Sequence, residues 1–254
     1  MSAPGAGGLF VREWGTRGPR IVVLHGGPGA PGSAAGLAKA LSGEFRAAEP
    51  FQRGSGGTPL AVSRHVEDLR EFLAGLGETP PPPLVGHSFG AMLALAFAAA
   101  HPDLAGPLVL VGCGTFDPAA RARLVSARAE REGRCDPDSF DPVSDSDEAA
   151  AEGPFDESAH RETWADMLRL QAEGFYPAAF AAIRSPVLML HGTFDPHPGA
   201  MIRDGLGRFV PGLEYREFDR CGHWPWRERH ARTEFLAALA GWLLLSDCRA
   251  SRAR

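Results

Sequence analysis

The chain of 254 residues holds a single lysine, Lys39, and only two tyrosines, and its excess of acids leaves a formal net charge of −5. A surface of this sign does not attract a polyphosphate backbone, so nucleic acid is not an expected partner. Lys39 lies between Ala38 and Ala40, so no Walker-type phosphate loop is available. The arginine bias reads as compositional. Cysteine is sparse: Cys113, Cys135, Cys221 and Cys248 form no C-x-x-C pair and no zinc-type spacing with histidine. Reduced thiols and a cytoplasmic setting are the simple expectation. No apolar run reaches the length of a membrane span. The longest candidate, Leu84 to Ala100, is broken by His87 and Ser88. Met1 to Gly8 lacks the positive-then-apolar order of a secretory signal. The sequence therefore predicts no membrane contact, no metal and no organic cofactor. A homodimer is left open.

What is present is apolar and rhythmic. Hydrophobic residues make up 44% of the chain and charged residues 22%, with 31 glycines and 22 prolines for turns. Short apolar runs fall at Leu9–Trp14, Arg20–Leu24, Phe45–Ala48, Leu84–Gly86, Leu108–Gly112, Val187–Leu190 and Leu213–Phe218. Helical spacing separates them, through Val66, Leu69, Phe72, Leu73 and Leu76, through Ala91–Ala100, and through Phe235, Leu236, Leu239, Trp242 and Leu243. Such alternation predicts an α/β fold with a mostly parallel central sheet flanked by helices. Between Thr115 and Ser185 the rhythm stops, and Glu130–Glu162 carries twelve acids against three arginines. An excursion this long between two strands is more than a loop. It reads as a small helical cap at 115–185 inserted into a core of 1–114 and 186–254. A partly disordered acidic insertion is the alternative, with Cys135–Ala159 as its most mobile part.

Four motifs sit where strands end. Gly86-His87-Ser88-Phe89-Gly90 follows a strand and opens a helix. This is the context that the G-x-S-x-G turn requires: small residues two positions either side let backbones approach, and the serine hydroxyl is lifted above the sheet. His25-Gly26-Gly27-Pro28-Gly29 follows the strand Arg20–Leu24. Such a loop can aim a backbone N–H into the site, and the N–H groups of Gly27 and Phe89 are the expected oxyanion hole. Phosphate binding or a simple turn would also suit it. Asp195, in His191-Gly192-Thr193-Phe194-Asp195-Pro196, and His223, in Cys221-Gly222-His223-Trp224, complete the order Ser…Asp…His. A serine hydroxyl is a poor nucleophile until a base takes its proton, and a carboxylate must fix the tautomer of that base. The expected catalytic set is Ser88, Asp195 and His223. On residue type alone His25, His87, His191 and His197 rival His223; His25 and His191 read better as shaping loops through backbone bonds. Asp117 rivals Asp195.

With these residues in hand, the chain resembles the α/β-hydrolase superfamily over nearly its whole length, and within it the proline iminopeptidases and their relatives. The likeness rests on His25-Gly26-Gly27-Pro28-Gly29, Gln52-Arg53-Gly54-Ser55-Gly56 and Gly222-His223-Trp224-Pro225-Trp226. It implies an α/β-hydrolase fold, a helical cap, and release of an N-terminal residue, often proline, from peptides without a metal. Two positions depart from that pattern: Phe51 stands where an aspartate precedes Gln-Arg-Gly, and Gly86-His87-Ser88-Phe89-Gly90 has the form found in many esterases. The substrate is expected to be a small molecule or short peptide bearing an amide or ester, with Trp164, Glu173 and Trp224 lining its site. Carboxylesterase or lactonase activity and a non-catalytic ligand-binding protein are the competing readings. Ser88 argues against the relatives that use an aspartate nucleophile.

Overall fold

The computed structural model describes residues 8–56, 58–131 and 153–252. Seven strands form one sheet: β1 (Val11–Trp14), β2 (Arg20–Leu24), β3 (Arg46–Pro50), β4 (Leu84–His87), β5 (Leu108–Val111), β6 (Val187–Gly192) and β7 (Glu214–Phe218). Their order is β1-β3-β2-β4-β5-β6-β7. Only β1 runs antiparallel, Val11 facing Pro50; every other pair is parallel. All seven expected strands are present. β4 and β6 run on to His87 and Gly192, beyond the ends expected of them, and deliver the chain directly into the turns that carry Ser88 and Asp195.

The period of two explains the layers. Val22 and Leu24 face one side, packed with Phe72, Leu84, Leu108 and Met189. Ile21 and Val23 face the other, with Leu37, Val85, Val109 and Leu190. Helices α2 (Val62–Leu76), α3 (Phe89–Ala100) and α6 (Gly199–Gly207) cover the first face; α1 (Ala35–Leu41) and α7 (Arg232–Arg252) cover the second. The alanines of α3 let it lie close to the sheet, and nearly all of it is buried. α2 stops at Gly77, whose φ of 62° is left-handed and cheap for glycine.

Between β5 and β6 lie α4 (Pro118–Arg131), α5 (Glu157–Ala172), a single turn at Phe175–Ala178 and a 3-10 turn at Ala179–Ala182, with no strand among the described residues. Asp156 caps α5, accepting the Ala159 N–H at 2.9 Å. The excursion is tied down by its own acids. Asp156 accepts the Ser55 N–H at 2.9 Å, Glu162 the Leu60 N–H at 3.0 Å and Asp166 the Val62 N–H at 2.8 Å. His160 donates through Nδ1 to the Pro28 carbonyl at 3.0 Å. Of the stretch expected to be most mobile, residues 135–152 lie outside those described. Gly153–Ala159 is instead held in place: the Gly153 N–H bonds Pro31 O at 2.8 Å and the Asp156 N–H bonds Gly29 O at 2.7 Å. These backbone groups find their partners on the glycine-rich loop.

Candidate active site

Ser88 follows β4, Asp195 follows β6, His223 follows β7 and Gly27 follows β2, so all four sit at the carboxyl edge of the parallel strands. That edge is where open α/β sheets place their sites. Ser88 has φ 54° and ψ −115°, a conformation that non-glycine residues avoid. The elbow is held by its neighbours. A Cβ on Gly86 would lie 2.3 Å from Gly90 O, and one on Gly90 only 2.2 Å from Leu24 O. The Ser88 N–H also bonds Val111 O at 2.8 Å, stitching the turn to β5. Gly90→Ala is therefore expected to cost about 3 kcal/mol or more, a fall in Tm of roughly 10 °C. Gly205→Ala, where a Cβ meets open space, is the control. Calorimetry that finds the two variants alike would contradict this account of the turn.

Asp195 is fully buried and its two oxygens divide their partners. Oδ2 accepts His223 Nδ1–H at 2.7 Å. Oδ1 accepts the His197 N–H at 2.9 Å and His197 Nδ1–H at 2.8 Å. Burial pushes the Asp195 carboxyl up, but the charge of His223 and the bonds from His197 and His223 outweigh it, and Asp195 is held well below the ordinary carboxylate range. Gly112, at φ 55°, makes room: a Cβ there would lie 3.0 Å from His223 Nδ1 and 3.2 Å from Asp195 Oδ2. The ligand-type atoms of Asp195, His197 and His223 form a compact group. Their 2.7 and 2.8 Å separations are those of hydrogen-bonded pairs, whereas ligand atoms around a tetrahedral zinc stand about 3.3 Å apart.

The rival histidines have other employment. His25 accepts the Gln52 N–H on Nε2 at 2.9 Å and donates from Nδ1 to Gly26 O at 3.1 Å; burial lowers its pKa to about 4. His191 donates from Nε2 to His197 O at 3.0 Å, and burial lowers its pKa too. Both shape loops through the backbone, as expected. His87 donates from Nε2 to His223 O at 2.9 Å, and burial holds it well below its ordinary value. Asp117 is exposed and caps α4, accepting the N–H groups of Ala119 and Ala120 at 2.9 and 3.0 Å.

Trp224 and Trp164 border this constellation. The Trp224 ring lies 4.9 Å from that of His223, edge-on, and Trp164 lies 5.7 Å from Phe89. Glu173 does not: it caps the far end of α5, exposed and bonded to Arg169 at 2.6 Å. Its expected place in the site fails because α5 presents its N-terminal half, through His160 and Trp164, to the glycine-rich loop and Phe89. Sequence reasoning also passed over Asp156, His160, Gly112 and the role of His197. An acid just before an apolar-periodic segment was a readable cap signal for Asp156; nothing marked the others. Formally, Gly27-Pro28-Gly29-Ala30-Pro31-Gly32 matches a dinucleotide fingerprint. A Cβ on Gly29 would instead meet Asp156 O at 2.3 Å, so the loop's close approach is to this chain's own backbone.

Known proteins resemble this chain in sequence and in fold. A pimeloyl-[acyl-carrier protein] methyl ester esterase of Aromatoleum aromaticum is 28% identical over 233 residues, covering 82% of this chain and 92% of that protein. The crystal structure of a serine hydrolase involved in carbazole degradation superposes with a TM-score of 0.69 at 20% identity, covering 96% of this chain and 99% of that one. A thermophilic esterase from Thermogutta terrifontis does so with a TM-score of 0.67 at 22% identity, covering 97% and 98%. At these identities the superpositions speak for the fold. The sequence model of the alpha/beta hydrolase family matches residues 21–238, from β2 into the last helix, and so takes in the ends of β2, β4, β6 and β7. The chain belongs to the alpha/beta hydrolase family.

Proposed function

We propose that this enzyme is a serine hydrolase of small carboxylic esters, with Ser88 as nucleophile, His223 as general base and Asp195 as the orienting carboxylate. The observation that carries the reading is the 2.7 Å bond from His223 Nδ1 to a fully buried Asp195. Because Nδ1 carries the shared proton, Nε2 is left with a lone pair. It takes the Ser88 hydroxyl proton as Oγ attacks the ester carbonyl carbon. Negative charge then gathers on the former carbonyl oxygen. Phe89 is the first residue of α3, so its N–H has no carbonyl four residues back to bond; with the Gly27 N–H it would receive that charge, reinforced by the helix dipole. The imidazolium of His223 returns the proton to the leaving alkoxide. Water, activated by the same histidine, releases the acid from Ser88.

Ester rather than aminopeptidase chemistry is supported by what the cap acids do. An N-terminal peptidase of the proline iminopeptidase kind needs a carboxylate for the substrate's α-ammonium group. Among the described cap acids, Glu162 and Asp166 are engaged with backbone N–H groups, Glu173 is paired with Arg169, and Glu157 is exposed at the start of α5. Phe51 and the His87-Ser88-Phe89 elbow agree with the esterase pattern, as does the esterase named among the relatives. The test is to assay short acyl esters beside aminoacyl amides with free and N-acetylated amines. Esters are expected to turn over fastest, and blocking the amine is expected to change amide cleavage by less than about threefold, since no charge-assisted contact is lost. A strong preference for the free amine that fades above roughly pH 8, where an α-amine loses its proton, would restore the peptidase.

A further inference from the structure

The orienting carboxylate accepts hydrogen bonds from two imidazoles, and a third, His191, stands with Nε2 3.4 Å from Oδ2 while donating to His197 O. His197 donates to Asp195 Oδ1 twice, through its backbone N–H at 2.9 Å and through ring Nδ1 at 2.8 Å. Its ring lies flat against that of His223, with centroids 4.8 Å apart and planes 23° from parallel. The ring is largely buried, and its own carbonyl is held by His191. An aspartate that accepts the backbone N–H two residues on is common Asx-turn geometry; the second, side-chain donor is not required by it. We infer that His197 is a positioning residue for the base: it shares Asp195 with His223, fixes the plane of the carboxylate, and sets how much of its charge reaches His223. This rests on the serine hydrolase reading above.

The electrostatic consequence has a definite sign. A hydrogen bond donated to Oδ1 draws on the same negative charge that favours the protonated form of His223. Removing that donor leaves more charge for His223, so its protonated, inactive form persists to higher pH and the acid limb of the rate profile moves up. The other titratable groups near the pair are His191 on β6, His87 at the end of β4, Cys113 beyond β5, and Cys221 and Glu228 flanking the His223 loop. Burial lowers the two histidines, raises the Cys113 thiol and pushes Cys221 up to about 12. Glu228 is turned to the Gly222 N–H at 3.0 Å. Burial also lowers His197 itself, against the pull of Asp195.

The test compares two variants. His197→Phe keeps a flat ring and removes the donor. His197→Asn removes the ring and keeps an amide nitrogen that can stand where Nδ1 stood. Rates are measured from pH 5 to 10 as kcat/KM on an ester and as the rate of covalent labelling by a fluorophosphonate probe, each per folded enzyme. For His197→Phe the acid limb is expected to move up by about one unit, a roughly tenfold loss on the acid side, the size of a hydrogen bond to a charged group. KM should stay within about twofold, since His197 acts through Asp195 and not on substrate. His197→Asn should bring the limb most of the way back. An unmoved limb in His197→Phe, or an equal shift in both variants, overturns the inference. If His197→Phe does not fold, His197→Leu, which also removes the donor, takes its place under the same criteria. Failure of the underlying reading is distinguishable: the wild-type enzyme would then not label at Ser88, and the inference would fall with it.

Discussion

Ser88→Ala is expected to abolish ester hydrolysis and covalent labelling, with a loss of about a million-fold in kcat, the scale of removing an activated nucleophile. The fold should survive. Alanine keeps the Cβ, so it inherits the backbone geometry of φ 54° and ψ −115° without adding a new clash. The bonds that hold the elbow come from the main chain, through the Ser88 N–H to Val111 O and the close approach of Gly86 to Gly90. The melting temperature should therefore shift by only a few degrees, corresponding to a change within about 1 kcal/mol. Purified, folded Ser88→Ala that still turns over ester would remove Ser88 from the chemistry. A wild-type enzyme that neither labels nor hydrolyses would favour a ligand-binding protein on the same fold.

The second large effect separates two aspartates. Asp195→Asn puts an amide beside His223 Nδ1. If its NH₂ faces the ring, it favours the tautomer with the proton on Nε2, which cannot accept from serine. A loss of about a thousandfold to ten-thousandfold in kcat is expected. Asp117→Asn should change activity by less than about threefold, because asparagine caps a helix nearly as well as aspartate. Asp117 does no more in this structure than receive the first N–H groups of α4. Steady-state kinetics on both variants decide the matter, and a larger loss at Asp117 would move the orienting carboxylate to the end of β5.

Much of this architecture was readable before the fold. The central strands β2, β4, β5 and β6 announce themselves because buried parallel strands are short runs of branched apolar residues, as in Ile21-Val22-Val23-Leu24, and such runs have few alternatives. The elbow was readable because its steric demand falls on residue types: only glycine tolerates the approaches made at Gly86 and Gly90. The sequence favours Asp195 over Asp117 by its place at the end of a strand before the histidine. What stayed hidden depends on distances between segments. His197 is two residues from Asp195, yet its relevance comes from its ring lying along His223, supplied from another strand end. Glu173 was misplaced because helical spacing gives the face of a helix but not which of its ends is docked. The partners of Glu162 and Asp166 could not be read either, since a backbone N–H leaves no mark in the residue it belongs to.

That last point bears on how α5 is attached. Its acids grip the main chain at Ser55, Leu60 and Val62, and the side chains of Leu60 and Val62 are buried in the core. Recognition of this kind cannot distinguish one amino acid from another, with a single exception: proline, which alone brings no N–H to be gripped. At these three points the attachment is thus written in a chemistry common to nineteen residue types, while the side-chain bonds Ser55–Glu162 at 3.1 Å and His65–Thr163 at 3.0 Å tie α5 to particular residues.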